Sequence, residues 1–105
     1  MGIFDRLRGD SIRAQIRVHI VIRGRIGDTW RDVDTYLRVP RGTTLAELVE
    51  AAERARIPLR ESLARSPHLT DTMMLNGERC PLDENRARPM ADGDELYLLA
   101  PLAGG

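Results

Sequence analysis

The sequence contains no lysine; all sixteen of its basic residues are arginine. Two readings of that absence stand open. One is a coding bias in a GC-rich genome, with which the abundance of alanine and arginine agrees. The other is selection against modification at an ε-amine. Lysine is the usual amine nucleophile and modification target, so the sequence offers only its α-amine for such chemistry. Cysteine is nearly absent as well. The single Cys80 cannot build a disulfide framework and suits a reducing compartment. Aromatic residues make up 4% of the chain, so aliphatic side chains must supply most of the burial.

No apolar run approaches the ~20 residues of a membrane-spanning helix. The longest, Leu96 to Ala103, is interrupted by Pro101. The segment MGIFDRLRGD mixes charged and apolar residues and lacks the apolar stretch of a signal peptide. Arg6 stands where a myristoylation signal beginning at Gly2 wants serine or threonine. A cytoplasmic location without a membrane partner is expected. An excess of charge of either sign is missing too: 16 basic and 16 acidic residues give zero net charge and a pI near 6.7. That balance argues against a dedicated nucleic-acid partner.

What is present fits one globular domain. The chain has 105 residues, 42% hydrophobic and 30% charged, and a chain of this size buries roughly 65% of its unfolded surface. Residues 1–11 read as an amino-terminal extension, 12–100 as the folded domain and 101–105 as a flexible tail. From Ile12 a strict alternation sets in. Ile12, Ala14, Ile16, Val18, Ile20 and Ile22 lie on one side, and Arg13, Gln15, Arg17, His19, Val21 and Arg23 on the other. A period of two with β-branched residues is a half-buried strand. The glycines between Gly24 and Asp28 predict a reversal, with a long loop reaching Trp30. Val33, Thr35, Leu37 and Val39 then alternate again, completing an antiparallel hairpin.

Pro40-Arg41-Gly42 stops the second strand. Thr44 and Glu47 have capping-box spacing. Leu45, Leu48, Val49 and Ala52 follow on one helix face, Glu50 and Arg54 form an i,i+4 pair, and Pro58 ends the helix near Ile57. Residues 59–66 predict a further short helical turn. Met73-Met74-Leu75 leads into Asn76-Gly77, a strong hairpin signal, and Arg79-Cys80-Pro81 reads as a brief edge strand. Asp92-Gly93-Asp94 is a turn, and Leu96, Leu98 and Ala100 alternate in a last strand against Glu95, Tyr97 and Leu99. Strands and helix in this order predict an α+β domain of β-grasp type: a mixed four- to five-stranded sheet packed on one main helix.

No enzyme is legible. His19 and His68 have no cysteine or carboxylate at metal-ligand spacing, so no metal site is expected. His19 reads as a solvated or packing residue. Cys80 reads as a buried structural thiol, and the acidic residues Asp83, Glu84, Asp92 and Asp94 as solvated loops. The informative feature is the ending Pro101-Leu102-Ala103-Gly104-Gly105. Glycines lack Cβ, so a partner can grip such a backbone closely. A carboxylate is a poor electrophile, and adenylation would turn it into an anhydride that sulfur or an amine can attack.

The stretch from Asp92 to Gly105 resembles the ending of the family of the small molybdopterin synthase subunit and the thiamine sulfur carrier. Leu75-Asn76-Gly77-Glu78 resembles that family's late hairpin, and Pro40 to Leu48 its strand-to-helix junction. The likeness spans residues 12–105. The extension, the first hairpin loop and the segment after Pro58 depart from the family pattern. The resemblance implies a ubiquitin-like β-grasp fold and a sulfur carrier. An E1-like enzyme would adenylate Gly105, using ATP that the carrier itself does not bind. A sulfur donor would convert Gly105 to a thiocarboxylate for molybdopterin-type or thiamine-type cofactor synthesis, with a synthase large subunit as a further possible partner. The alternative is a bacterial ubiquitin-like modifier joined through Gly105 to target amines. In either case Pro101, Leu102, Ala103 and Gly104 would enter the partner's active site. Tyr97 and Leu99, with Val21, would form an apolar docking patch.

Overall fold

The computed structural model describes residues 15–101. The extension 1–11, the first positions of the alternation (Ile12, Arg13 and Ala14) and the tail residues Leu102, Ala103, Gly104 and Gly105 lie outside them. The elements are β1 (Gln15–Ile26), β2 (Thr29–Pro40), α1 (Leu45–Arg54), α2 (Leu59–Arg65), α3 (Leu69–Thr72), β3 (Met74–Leu75), β4 (Glu78–Arg79) and β5 (Glu95–Leu99). The strands form one mixed five-stranded sheet in the order β2-β1-β5-β3-β4. β5 runs parallel to β1 and antiparallel to β3. Among the described residues the protein is thus α+β, with one main helix and two short ones. None of its helices among the described residues is long and apolar enough to cross a membrane.

The alternation explains the layers. Ile16, Val18, Ile20, Ile22 and Ile26 of β1 are fully buried with Leu96 and Leu98 of β5. They pack with Leu45, Leu48 and Ala52 of α1 in one core. The opposite face of the sheet carries Arg17, Arg23, Asp32, Asp34, Tyr36 and Leu99, all exposed. Burial of an aliphatic side chain is worth about 1.5–3 kcal/mol, so the even-numbered set of β1 selects which face meets the helices.

The first reversal differs from the expected loop. β1 continues through Gly24, and Ile26 pairs directly with Thr29. The turn is therefore only Gly27-Asp28. Positive φ falls at Gly27 (61°) and not at Asp28, the glycine-first pattern of a type II′ hairpin. Two glycines close together suggest a loop, but the inward set Ile22, Gly24, Ile26 stays in phase, so the ladder runs on to its end.

The capping box forms as expected. Thr44 Oγ1 accepts from the Glu47 N–H and Glu47 Oε1 accepts from the Thr44 N–H. The carbonyls of Arg88 and Arg86 take up the next two amides, of Leu45 and Ala46. The helix ends at Arg54 rather than near Ile57. Arg56 adopts φ 64°, its N–H bonds to Glu53 O, and Ile57 N–H bonds to Ala52 O. This is a Schellman stop with arginine where glycine is usual. Arg56→Gly should therefore raise stability by about 0.5–1 kcal/mol, read from the urea midpoint. The expected Glu50–Arg54 pair is replaced by Arg60, which reaches both Glu50 (2.8 Å) and Glu53 (3.3 Å); the early stop folds α2 back alongside α1.

The helical turn expected over 59–66 is α2, and α3 follows it. The Asn76-Gly77 hairpin forms with positive φ at both residues (54° and 84°), a type I′ pattern. β4 is the edge strand but stops at Arg79. Cys80 lies just beyond, its N–H donating to Met73 O.

Candidate functional site

The region where the chain leaves the sheet is assembled from β1 and β5. β5 sits between β1 and β3, with Leu96 and Leu98 buried and Leu99 outward. Past the end of β5 the ladder continues on main-chain atoms alone. Ala100 N–H donates to Arg23 O (2.8 Å), and Arg25 N–H donates to Pro101 O (3.1 Å).

That passage depends on Gly24. A Cβ there would lie 2.4 Å from Ala100 O and 2.8 Å from Ala100 C, and the residue has φ +117°. The backbone of one strand crosses the other at a distance that leaves no room for a side chain. Pro101 itself is exposed. Leu102, Ala103, Gly104 and Gly105 lie outside the described residues.

Tyr97 and Leu99 stand on the open face beside this exit. Leu99 is 51% exposed and Tyr97 half-buried. With Met74, Gly77 and Glu95 they line a shallow depression. Val21 does not extend the patch: it is 2% exposed. It belongs to the inner strand β1, flanked in register by Asp34 and Tyr97, so strand neighbours stand on both sides of it.

Of the two readings of His19, solvated or packing, the structure shows the packing one: the residue is half-buried among neighbouring side chains. Its Nε2 lies 2.6 Å from Asp34 Oδ1 and its Nδ1 3.6 Å from Glu95 Oε2. An ionised carboxylate only accepts, so Nε2 donates to Asp34. The ring stacks on Tyr36 at 4.6 Å and meets the edge of Tyr97 at 5.9 Å, and Arg17 covers the Tyr36 ring at 4.6 Å. Spacing along the chain could not disclose this cluster, because its members come from three strands. No group of three or more histidine, cysteine or acidic side chains is arranged to hold a metal among the described residues.

The Asp92-Gly93-Asp94 turn forms; Asp92 is exposed as expected, whereas Asp94 is not. Asp94 is buried and accepts from the Ala91 N–H (2.7 Å) and from Asn76 Nδ2 (2.9 Å). Asn76 in turn accepts from the Glu95 N–H and donates its own N–H to Glu95 O. Asp92 Oδ1 accepts from the Arg17 N–H (2.9 Å). Together these contacts hold the start of β5 against β1 and the β3–β4 hairpin. Cys80 is buried, with its Sγ facing Arg88 Nη1 at 3.7 Å. His68 is exposed, and its carbonyl accepts from the Asp71 and Thr72 amides.

No protein-family model matches the chain, and no curated protein does. Among solved structures it is similar to the solution structure of the HVO 2177 protein of Haloferax volcanii, with 18% sequence identity and a TM-score of 0.53. The match covers 88% of this chain and 89% of that one. At this identity the likeness is one of fold.

Proposed function

We propose that the domain is a β-grasp and that the chain is a ubiquitin-like sulfur carrier, with the Gly105 carboxylate as its reacting group. The observation that carries this reading is the exit of β5. The strand lies inside the sheet, parallel to β1, and main-chain bonds hold it as far as the Pro101 carbonyl. The residues that follow, Leu102 to Gly105, are short and end in two glycines. The resemblance of residues 92–105 to the molybdopterin and thiamine carriers supports the same reading, as does the order of strands and helix.

The chemistry takes place in the partner. The Gly105 carboxylate attacks the α-phosphorus of ATP, the α–β anhydride bond breaks, and pyrophosphate leaves. Hydrosulfide attacks the acyl carbon, AMP leaves, and a thiocarboxylate remains without change of oxidation state. A persulfide donor gives an acyl disulfide instead, which a thiol cleaves to the same product while forming a new disulfide. The carrier supplies an acyl group free of side-chain bulk, a fixed exit and a docking face; the E1-like enzyme supplies ATP and catalysis.

The test is intact mass after incubation with ATP, hydrosulfide and an E1-like enzyme from the same genome. The expected product carries sulfur in place of one oxygen, and deletion of Gly105 abolishes it. Stable adducts on amines of other proteins would instead establish the modifier reading. Neither product, with an enzyme that activates another carrier, overturns both. Leu99→Glu should weaken binding to the activating enzyme at least tenfold, as for a central apolar contact, measured by calorimetry. Its effect on stability should stay within about 0.5 kcal/mol because the side chain is exposed.

A further inference from the structure

The outer edge of β2 offers a surface that the carrier chemistry does not use. The main-chain groups of alternate β1 residues point towards β5 and the turn before it. His19 N–H donates to Asp94 O and Arg25 N–H to Pro101 O, while Arg23 O and Arg17 O accept from Ala100 and Gly93. The register partners of these four residues in β2 are Tyr36, Trp30, Asp32 and Arg38. Opposed residues in an antiparallel ladder exchange both bonds or neither. These pairs exchange neither, so Trp30, Asp32, Tyr36 and Arg38, with Asp34 between them in phase, turn N–H and C=O away from the sheet. β2 is an end strand, and no strand among the described residues pairs with its far side.

Exposed edges are commonly blunted by a bulge, a mid-strand proline, short length or charge. The β1–β2 register runs from Gln15↔Pro40 to Ile26↔Thr29 without a bulge, over 12 residues of β2. Its one proline is the last residue. Charge is present, but of both signs, and the order is self-complementary.

We propose that β2 pairs antiparallel with β2 of a second copy about a two-fold axis at Thr35. Only outward-turned residues can exchange bonds, so these must face one another. With the axis at Thr35, Asp32 of one copy faces Arg38 of the other, and the symmetry repeats the pair. Asp34 faces Tyr36, again twice. Trp30 faces Pro40, whose carbonyl accepts a bond at the strand end, where its missing N–H matters least. On the helix side Val33 faces Leu37; both are half-buried residues at the margin of the core, and the second copy covers them.

Neighbouring registers fit less well. With the axis at Asp34, that carboxylate faces itself, which is destabilising. With the axis at Tyr36, Trp30 runs beyond the partner strand and its main-chain groups stay unpaired. The pairing closes on itself and uses both β2 edges. The other sheet edge, β4, is two residues long and cannot propagate a fibre in the same way. Strand pairing of this extent lies at the small end of specific interfaces, so the association is weak and reversible.

The experiment is sedimentation or light scattering of the full chain from about 1 µM to about 1 mM. The expected result is a monomer–dimer equilibrium in the wild type. Asp32→Arg alone or Arg38→Asp alone should weaken it at least tenfold, and the double variant Asp32→Arg/Arg38→Asp should restore it. Amide exchange at Asp34 and Tyr36 in the wild type should slow with rising protein concentration, which needs no variant to fold. A monomer throughout overturns the proposal, and this includes a chain whose edge takes only a peptide from another protein. Dimers indifferent to the single changes, singles not rescued by the double, or exchange independent of concentration overturn it equally.

Discussion

Gly24→Ala is expected to remove about 3–5 kcal/mol of stability, a large part of what holds a domain of this size together. Two costs add. An alanine at φ +117° pays about 1–3 kcal/mol in backbone strain. Its Cβ would also sit 2.4 Å from Ala100 O, contact that neither backbone can relieve without parting. Separation of the strands breaks the Ala100–Arg23 and Arg25–Pro101 bonds, each worth about 1 kcal/mol. Urea unfolding measures the sum. The control is Gly42→Ala, where φ is +94° but nothing lies within 4 Å of the added carbon; it should show the strain alone. Faster amide exchange at Ala100 in the Gly24 variant, with that at Ile20 changed only by the global loss, would locate the damage at the exit of β5. Equal losses in the two variants would contradict the close-approach account.

Asp94→Ala is the second large effect, at about 2–4 kcal/mol. The carboxylate is buried and satisfies two donors, the Ala91 N–H and Asn76 Nδ2. Its removal strands both, and bonds to charged groups are worth about 1.5–3 kcal/mol. Asp94→Asn separates shape from chemistry. The amide keeps the volume but can accept at only one of its two heads, so one donor meets another donor and most of the loss persists. Unfolding of the three proteins in guanidinium, with unchanged m-values, is the measurement. An asparagine variant as stable as wild type would contradict the assignment of two accepting oxygens.

The parts of the fold legible beforehand rest on local rules. Alternation over Ile16 to Ile22 and Val33 to Val39 specifies two half-buried strands, Thr44 and Glu47 specify a helix start, and Asn76-Gly77 a tight hairpin. The outward position of Tyr97 and Leu99 follows from the same alternation. The misreadings share a different cause. Gly24 looks like punctuation because another glycine stands three residues on, yet its role comes from Ala100, which passes beside it from the far end of the chain. The stop at Arg56 lacks the glycine that usually announces it, and Pro58 draws attention two residues too late. Asp92 is exposed as expected, whereas Asp94 is buried: the Asn76 amide it accepts from lies 18 residues away and reaches it only once β3 and β5 pair. Val21 fails as a surface residue for the same reason: an outward direction is local, whereas exposure depends on Asp34 and Tyr97 across two ladders. His19 packs, in line with one of its two readings, but its partners Asp34 and Glu95 likewise come from other strands.

The parallel alignment of β1 with β5 has a mechanical consequence. Gln15, where the described part of β1 begins, and Pro101, whose carbonyl takes the last described ladder bond, lie at opposite ends of adjacent strands. A pull that draws these points apart acts along the strand axes, so the bonds from Gly93–Arg17 to Arg25–Pro101 are strained together in shear instead of being peeled one at a time. Forced unfolding is governed by the rate of crossing the barrier rather than by equilibrium stability. A machine tugging on this tail would therefore meet brittle resistance, in which the sheet holds and then fails at once.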